Sequence, residues 1–140
     1  MLPKDPKEKA KQRQMDRAYD THLGRSLNTL YKQYFFTKPG DRKESLVAEA
    51  FKSSQAYLVV ADTWLDGQDF FGGTQFGATD ATHAHAFLNL LTLYNIDITP
   101  YKNIQAWIER VSQRPSIVKT NPGPFRNPQA IKKKPLLKSI

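Results

Sequence analysis

The chain has 140 residues, 39% of them hydrophobic and 11% aromatic, which suits one folded domain and excludes global disorder. It has no cysteine, so disulfides, thiolate metal sites and a catalytic thiol within the chain are excluded. The formal net charge is +8, but Lys119, Arg126, Lys132, Lys133, Lys134 and Lys138 carry most of that excess at one end, leaving the rest weakly basic.

The opening MLPKDPKEKAKQRQ is charged, so no signal peptide is expected. No uninterrupted apolar run reaches about 18 residues, so no membrane span is expected either. The first helix is expected from Asp5, with Asp5 as N-cap, Pro6 at the first helical position and Glu8 completing a capping box. Met15, Ala18, Tyr19, His22, Leu23, Leu27, Leu30, Tyr31 and Tyr34 recur at spacings of three and four and predict one inner face. Thr37-Lys38-Pro39-Gly40 reads as a turn.

A second helix is expected near Asp41, with Glu44 as its capping-box partner and Leu46, Val47, Ala50, Phe51, Ser54, Leu58, Ala61 and Leu65 facing inward. Gly67 marks its stop, and Phe70 and Phe71 follow in a loop. A third, strongly apolar helix runs from about Ala78 to Tyr94. Ala81, Ala84, Phe87, Leu88 and Leu91 form one stripe, and Ala86, Leu90 and Leu93 cover much of the remainder. A fourth runs from about Tyr101 to Gln113, with Ile104, Trp107, Ile108 and Val111 facing in, and one short turn is expected after Pro115. No segment alternates with the two-residue period of a strand. The expected fold is therefore an all-α bundle of four to five helices over residues 1–120. Residues 121–140, rich in Pro and Lys, are expected to form an extended, mobile basic tail.

The run Phe76-Gly77-Ala78-Thr79-Asp80, a buried helix, then Tyr101-Lys102-Asn103-Ile104-Gln105-Ala106-Trp107-Ile108-Glu109-Arg110 and Arg114-Pro115 resembles the C-terminal helical domain of the glutathione S-transferase superfamily. Leu2-Pro3-Lys4-Asp5-Pro6 resembles the start of that domain's first helix, so the likeness spans roughly residues 2–120. Two departures stand out: Gly77 replaces the family's usual Ser or Thr, and Lys102 replaces the Pro that usually follows Tyr. The resemblance implies that Gly77 and Asp80 form the N-cap of the buried helix, with the Asp80 carboxylate accepting from the Gly77 N–H. It also implies that Met15, Tyr19 and His22 line a hydrophobic co-substrate wall. Ordinary core packing is the plainer reading of each of the three taken alone.

The resemblance further implies a thioredoxin-like domain elsewhere, upstream or on another chain, which would bind glutathione as co-substrate and hold the catalytic group. No catalytic residue and no glutathione site are expected within this chain, and the isolated chain is expected to be inactive. A cytoplasmic location, a homodimer and contact with the thioredoxin-like domain or a second protein are the matching expectations. The rival reading is a non-catalytic protein–protein interaction module of the kind found in translation factor and tRNA synthetase assemblies. His83 and His85 lie two positions apart on a helix and point about 200° away from each other, which rules out chelation of one metal ion from that helix. Nucleic-acid binding would rest on Lys132-Lys133-Lys134-Pro135 and ranks last, because Phe125 is the lone aromatic there that could stack on a base.

Overall fold

Helix α1 occupies residues 6–36 and is continuous, but it is not uniform. An α-helical stretch Pro6–Ala18 passes into a π turn Tyr19–Gly24, returns to α geometry over Arg25–Tyr31 and widens again over Lys32–Phe36. The computed structural model describes residues 2–120 of the chain, so the tail expected over residues 121–140 lies outside the described residues. Asp5 caps α1 by accepting from the Glu8 N–H at 3.2 Å, with Pro6 in the first turn.

A seven-residue connection, 37–43, turns the chain back so that the second half of α1 packs along α2, Glu44–Trp64. The start of α2 departs from the sequence expectation. Asp41 ends a short 3-10 turn, and Lys43 occupies the N-cap with no side-chain cap of its own. The loop gets its partners from α1 instead. The Lys43 N–H donates to Gln33 Oε1 at 2.9 Å, and the Arg42 guanidinium donates to the carbonyls of Gln33 and Tyr34 at 2.9 and 3.1 Å. Arg42 thereby satisfies carbonyls that the end of α1 leaves open, where a cation also suits the helix dipole.

After α2 the chain passes Gly67, in the left-handed conformation at φ 66°, and forms a tight turn at 70–73 closed by reciprocal backbone bonds of 2.9 Å between Phe70 and Gly73. Helix α3 covers residues 78–93, with a π segment at Ala86–Leu90 between Ala78–His85 and Leu91–Leu93. It ends at Asn95, which takes a positive φ of 54° and lets the Ile96 N–H reach back to the Leu91 carbonyl at 2.8 Å. That is the six-to-one bond of a Schellman stop, with Asn in the role usually given to Gly.

Helix α4, Lys102–Ser112, packs across α2, and α5, Pro115–Thr120, follows it. The junction of α2 with α4 is made by side chains of α2. Asp62 accepts from the Ile104 N–H at 2.9 Å, which caps α4, and Gln55 accepts from the Tyr101 hydroxyl at 2.6 Å. Leu23, Leu30, Leu58, Ala61, Ala86, Ile104, Trp107 and Val111 form the fully enclosed centre. No strand is present among the described residues, and none of their helices is long and apolar enough to cross a membrane.

Four residues expected to face inward do not. His22, Tyr31, Leu46 and Ala81 are exposed. For His22 the cause is the π turn. A π turn closes i to i+5 and so inserts one extra residue into the helical phase. The inner line that starts at Met15 therefore continues through Leu23 at 0% exposure, and His22 rotates outward. Leu46 flanks Val47 in the first turn of α2, and Ala81 points away from the buried His83, two positions further along α3.

Candidate functional site

Asp80 is completely buried, and its carboxylate accepts three hydrogen bonds from three parts of the chain. The Gly77 N–H donates to Oδ2 at 2.8 Å, and the Phe71 N–H donates to Oδ1 at 3.0 Å. The Trp107 indole N–H donates to the same Oδ1 at 2.8 Å. One carboxylate thus closes the first turn of α3, pins the 70–73 turn and binds α4. Gly77 has no side-chain acceptor, so only half of a capping box exists here, and Asp80 supplies all of it.

One turn further along α3, His83 is also completely buried. Its Nδ1 lies 2.7 Å from the Thr79 carbonyl, which can only accept, so the ring proton sits on Nδ1. Nε2 is then an acceptor, and the Tyr57 hydroxyl donates to it at 2.7 Å. Burial pushes the imidazole down to about 4, so the ring is neutral at physiological pH. Burial pushes the Tyr57 hydroxyl far up as well, and it stays protonated. Both groups are therefore locked in one protonation state, with their polar atoms used up by each other and by the backbone. That is the signature of a structural network rather than of a proton-transfer site.

Aromatic rings enclose this pair. Phe71 stacks on His83 at 4.3 Å between centroids, Tyr19 meets it edge-on at 4.9 Å, and Phe87 meets it edge-on at 5.3 Å. Phe71 also touches Trp107 at 5.6 Å, so it plugs the core beneath its own turn. Phe70 remains half-buried against Phe76, where Arg110 and Arg114 cover the two rings from α4 and the residues after it. Arg110 also donates to the Asp69 carbonyl and pairs with its carboxylate at 3.7 Å.

The three residues expected to share one wall lie at three depths. Met15 is 1% exposed and belongs to the core, Tyr19 is half-buried, and His22 is exposed. Tyr19 alone joins the interior to the surface: its ring contacts His83 and Tyr57 and lies over Gly24. Gly24 leaves room for this, since a Cβ there would stand 3.3 Å from the Tyr19 carbonyl oxygen and 3.5 Å from its ring. Next to it on α1, Asp16 has its carboxyl raised above the usual range. Burial is the main cause, the Thr79 hydroxyl opposes it, and the charges of Asp20 and Asp80 add to the rise. Among the described residues no group of His, Cys, Asp and Glu could hold a metal ion.

Sequence reasoning did not find the His83–Tyr57 bond or the place of Asp16. Each depends on side chains from different helices, and no spacing within one helix encodes it. The polar residues Gln12, Thr79, Asp80 and His83, lying on faces otherwise apolar, were the available signal.

The helices, their order and the carboxylate at the start of α3 define a class. Residues 3–115 match the family described as glutathione S-transferase, C-terminal domain, and the chain belongs to that family. Its likeness to individual members is partial. It is 28% identical over 83 residues to the glutathione S-transferase GstB of Escherichia coli strain K12, a match covering 59% of this chain and 39% of that protein. Among solved structures it resembles a glutathione transferase from Burkholderia graminis, with a TM-score of 0.78 and 19% identity over 90% of this chain and 54% of that one. A theta class glutathione S-transferase from Xanthomonas axonopodis pv. citri gives a TM-score of 0.72 and 22% identity, covering 84% of this chain and 62% of the other. Both of those crystals contain bound glutathione. The chain thus spans about two-fifths to three-fifths of the length of the relatives it matches.

Proposed function

We propose that this chain acts as the helical half of a glutathione transferase-like protein and offers an apolar surface to the hydrophobic co-substrate. The observation that carries the reading is Tyr19: a half-buried aromatic residue on the π turn of α1, with its ring packed on His83 and the residue partly exposed. Such a ring gives an apolar wall with a polar tip. Met15 supports it from within the core, and His22 stands at the rim. Glutathione itself would be held by a thioredoxin-like domain, which is the partner this reading requires, in a cytoplasmic setting.

Calorimetry with S-hexylglutathione and with glutathione tests this on the purified chain. Weak binding of the hexyl compound that Tyr19→Ala reduces about tenfold, beside no measurable binding of glutathione, is the expected pattern. Micromolar binding of glutathione alone would overturn the division of labour.

A second reading, an interaction module, is favoured by one observation. Tyr31, Phe35 and Phe36 form a ring cluster at the end of α1, with Tyr31 46% and Phe36 74% exposed, and Leu46, Val59 and Val60 are exposed on α2. Apolar area of this kind suits a homodimer or another protein. Light scattering that gives the mass of a monomer at millimolar concentration would remove the homodimer.

A further inference from the structure

Three enclosed polar atoms at the seam between α1 and α3 have no hydrogen-bond partner within the chain: Gln12 Oε1, Asp16 Oδ1 and Thr79 Oγ1. They belong together. Gln12 and Asp16 are one turn apart on α1 and so stand side by side. The Thr79 hydroxyl is near enough to the Asp16 carboxylate to favour its charged form, yet neither Thr79 Oγ1 nor Asp16 Oδ1 has a partner in direct hydrogen-bond geometry. Gln12 is 3% exposed and Thr79 0%, so bulk water does not serve them.

The side chains around the seam are held in place. A Cβ on Gly72 would stand 2.8 Å from Gln12 Nε2, so the tight turn lies close beside the amide and only a glycine leaves it room. Thr79 is in the first turn of α3, immediately before Asp80, whose three bonds fix that turn. Buried polar groups left unpaired are costly, so these three call for a partner.

The chemistry of the set decides what fits. The amide oxygen and the carboxylate oxygen can only accept, while the hydroxyl can donate. One water molecule satisfies all three: it donates to Gln12 Oε1 and Asp16 Oδ1 and accepts from Thr79. That is the usual bond count of an internal water. A cation would also meet three oxygens, but it would leave the Thr79 proton without an acceptor. It would also sit at the positive end of α3. We propose that the α1–α3 seam binds one structural water, bridged by Gln12, Asp16 and Thr79, which fixes how α1 lies on the start of α3.

The test is a high-resolution crystal structure of the full chain, with water–protein NOE measurements in solution. The expected result is one water within hydrogen-bond distance of all three atoms and resident longer than a nanosecond. Thr79→Val and Gln12→Met should each lose it and lower the Tm by several degrees, and their combined effect should be smaller than the sum, because they share one partner. Thr79→Ser keeps the hydroxyl and should keep the water, which separates loss of the site from loss of the fold. A dry seam, direct pairing of the three side chains, or a cation would each overturn the proposal. A cation would show as a Tm rise specific to sodium or potassium over N-methylglucamine at equal ionic strength.

Discussion

The start of α3 and the end of α1 handle their side chains in opposite ways. At the start of α3, Asp80 and His83 are completely buried, and each is bonded to another part of the chain as well as to its own helix. At the end of α1, Tyr31 and Phe36 stand exposed, and Arg42 closes the helix from a loop at the surface. The difference shows where this domain keeps its stability. A buried carboxylate with three donors is strong as a set, because removing it strands every donor at once. An exposed aromatic cluster contributes little to folding and is available for association.

The largest expected effect is on the buried side. Asp80→Ala leaves the N–H groups of Gly77, Phe71 and Trp107 without an acceptor and should cost about 4 kcal/mol. Urea unfolding measures this directly. A loss under about 1 kcal/mol would erase the contrast between the two regions.

The next largest is a pH effect on the same network. The unfolded His83 titrates near 6.5 and the folded one near 4, so the unfolded chain binds the extra proton first. Stability is then complete above the unfolded value and falls as pH drops from 6.5 towards 4. The loss amounts to about 3 kcal/mol for a shift of this size. Melting curves between pH 7 and pH 4 should show it, and His83→Phe should flatten the profile over that window. An unchanged slope in the variant would assign the acid sensitivity to other groups.

Gly72→Ala comes third. The new methyl would press on Gln12 and stand 3.2 Å from the Gln75 carbonyl, at a cost of about 1–2 kcal/mol. Shortening Gln12 to Ala in the same chain should recover part of that, and a double-mutant cycle reads the coupling. If the two losses simply add, the turn and α1 are not in the contact described.

The two smallest effects belong to the end of α1. Arg42→Ala should cost roughly 0.5–1 kcal/mol through the carbonyls it leaves open. Phe36→Ser should change stability by less than about 0.5 kcal/mol while lowering any self-association seen by light scattering. A destabilisation above about 1 kcal/mol would mean that the exposed cluster serves the fold after all.

Much of the fold was legible along the chain. The Asp5-Pro6 start of α1, the length of α2, the run of α3 from Ala78 and the Trp107 face of α4 all follow from spacing and capping chemistry that act within one helix. What failed to show were events that break the ideal period or cross between helices. His22 and Leu23 were both placed on the inner face by the regular spacing, and the π turn at Tyr19–Gly24 keeps Leu23 there while turning His22 outward. Asp41 and Glu44 looked like a capping box, yet the loop before α2 is satisfied from α1 by Gln33 and Arg42 from the loop binds back. The candidate site was less legible still. Tyr19 was within reach as an aromatic on a buried face, but its anchor on His83 joins residues 64 positions apart.

The sequence by itself determined an all-helical domain, its helix order, the carboxylate that begins α3 and the family likeness, because periodicity and capping are local and repeat with the chain. Only the tertiary structure decided that Asp80 also binds Trp107 and Phe71, that His83 is neutral against Tyr57, and that Met15, Tyr19 and His22 part company in depth. Those outcomes depend on which helix meets which, and on one extra residue in the turn of α1. Hydrogen bonds between distant segments form only where packing brings those segments together, and they are strongest where it also excludes water.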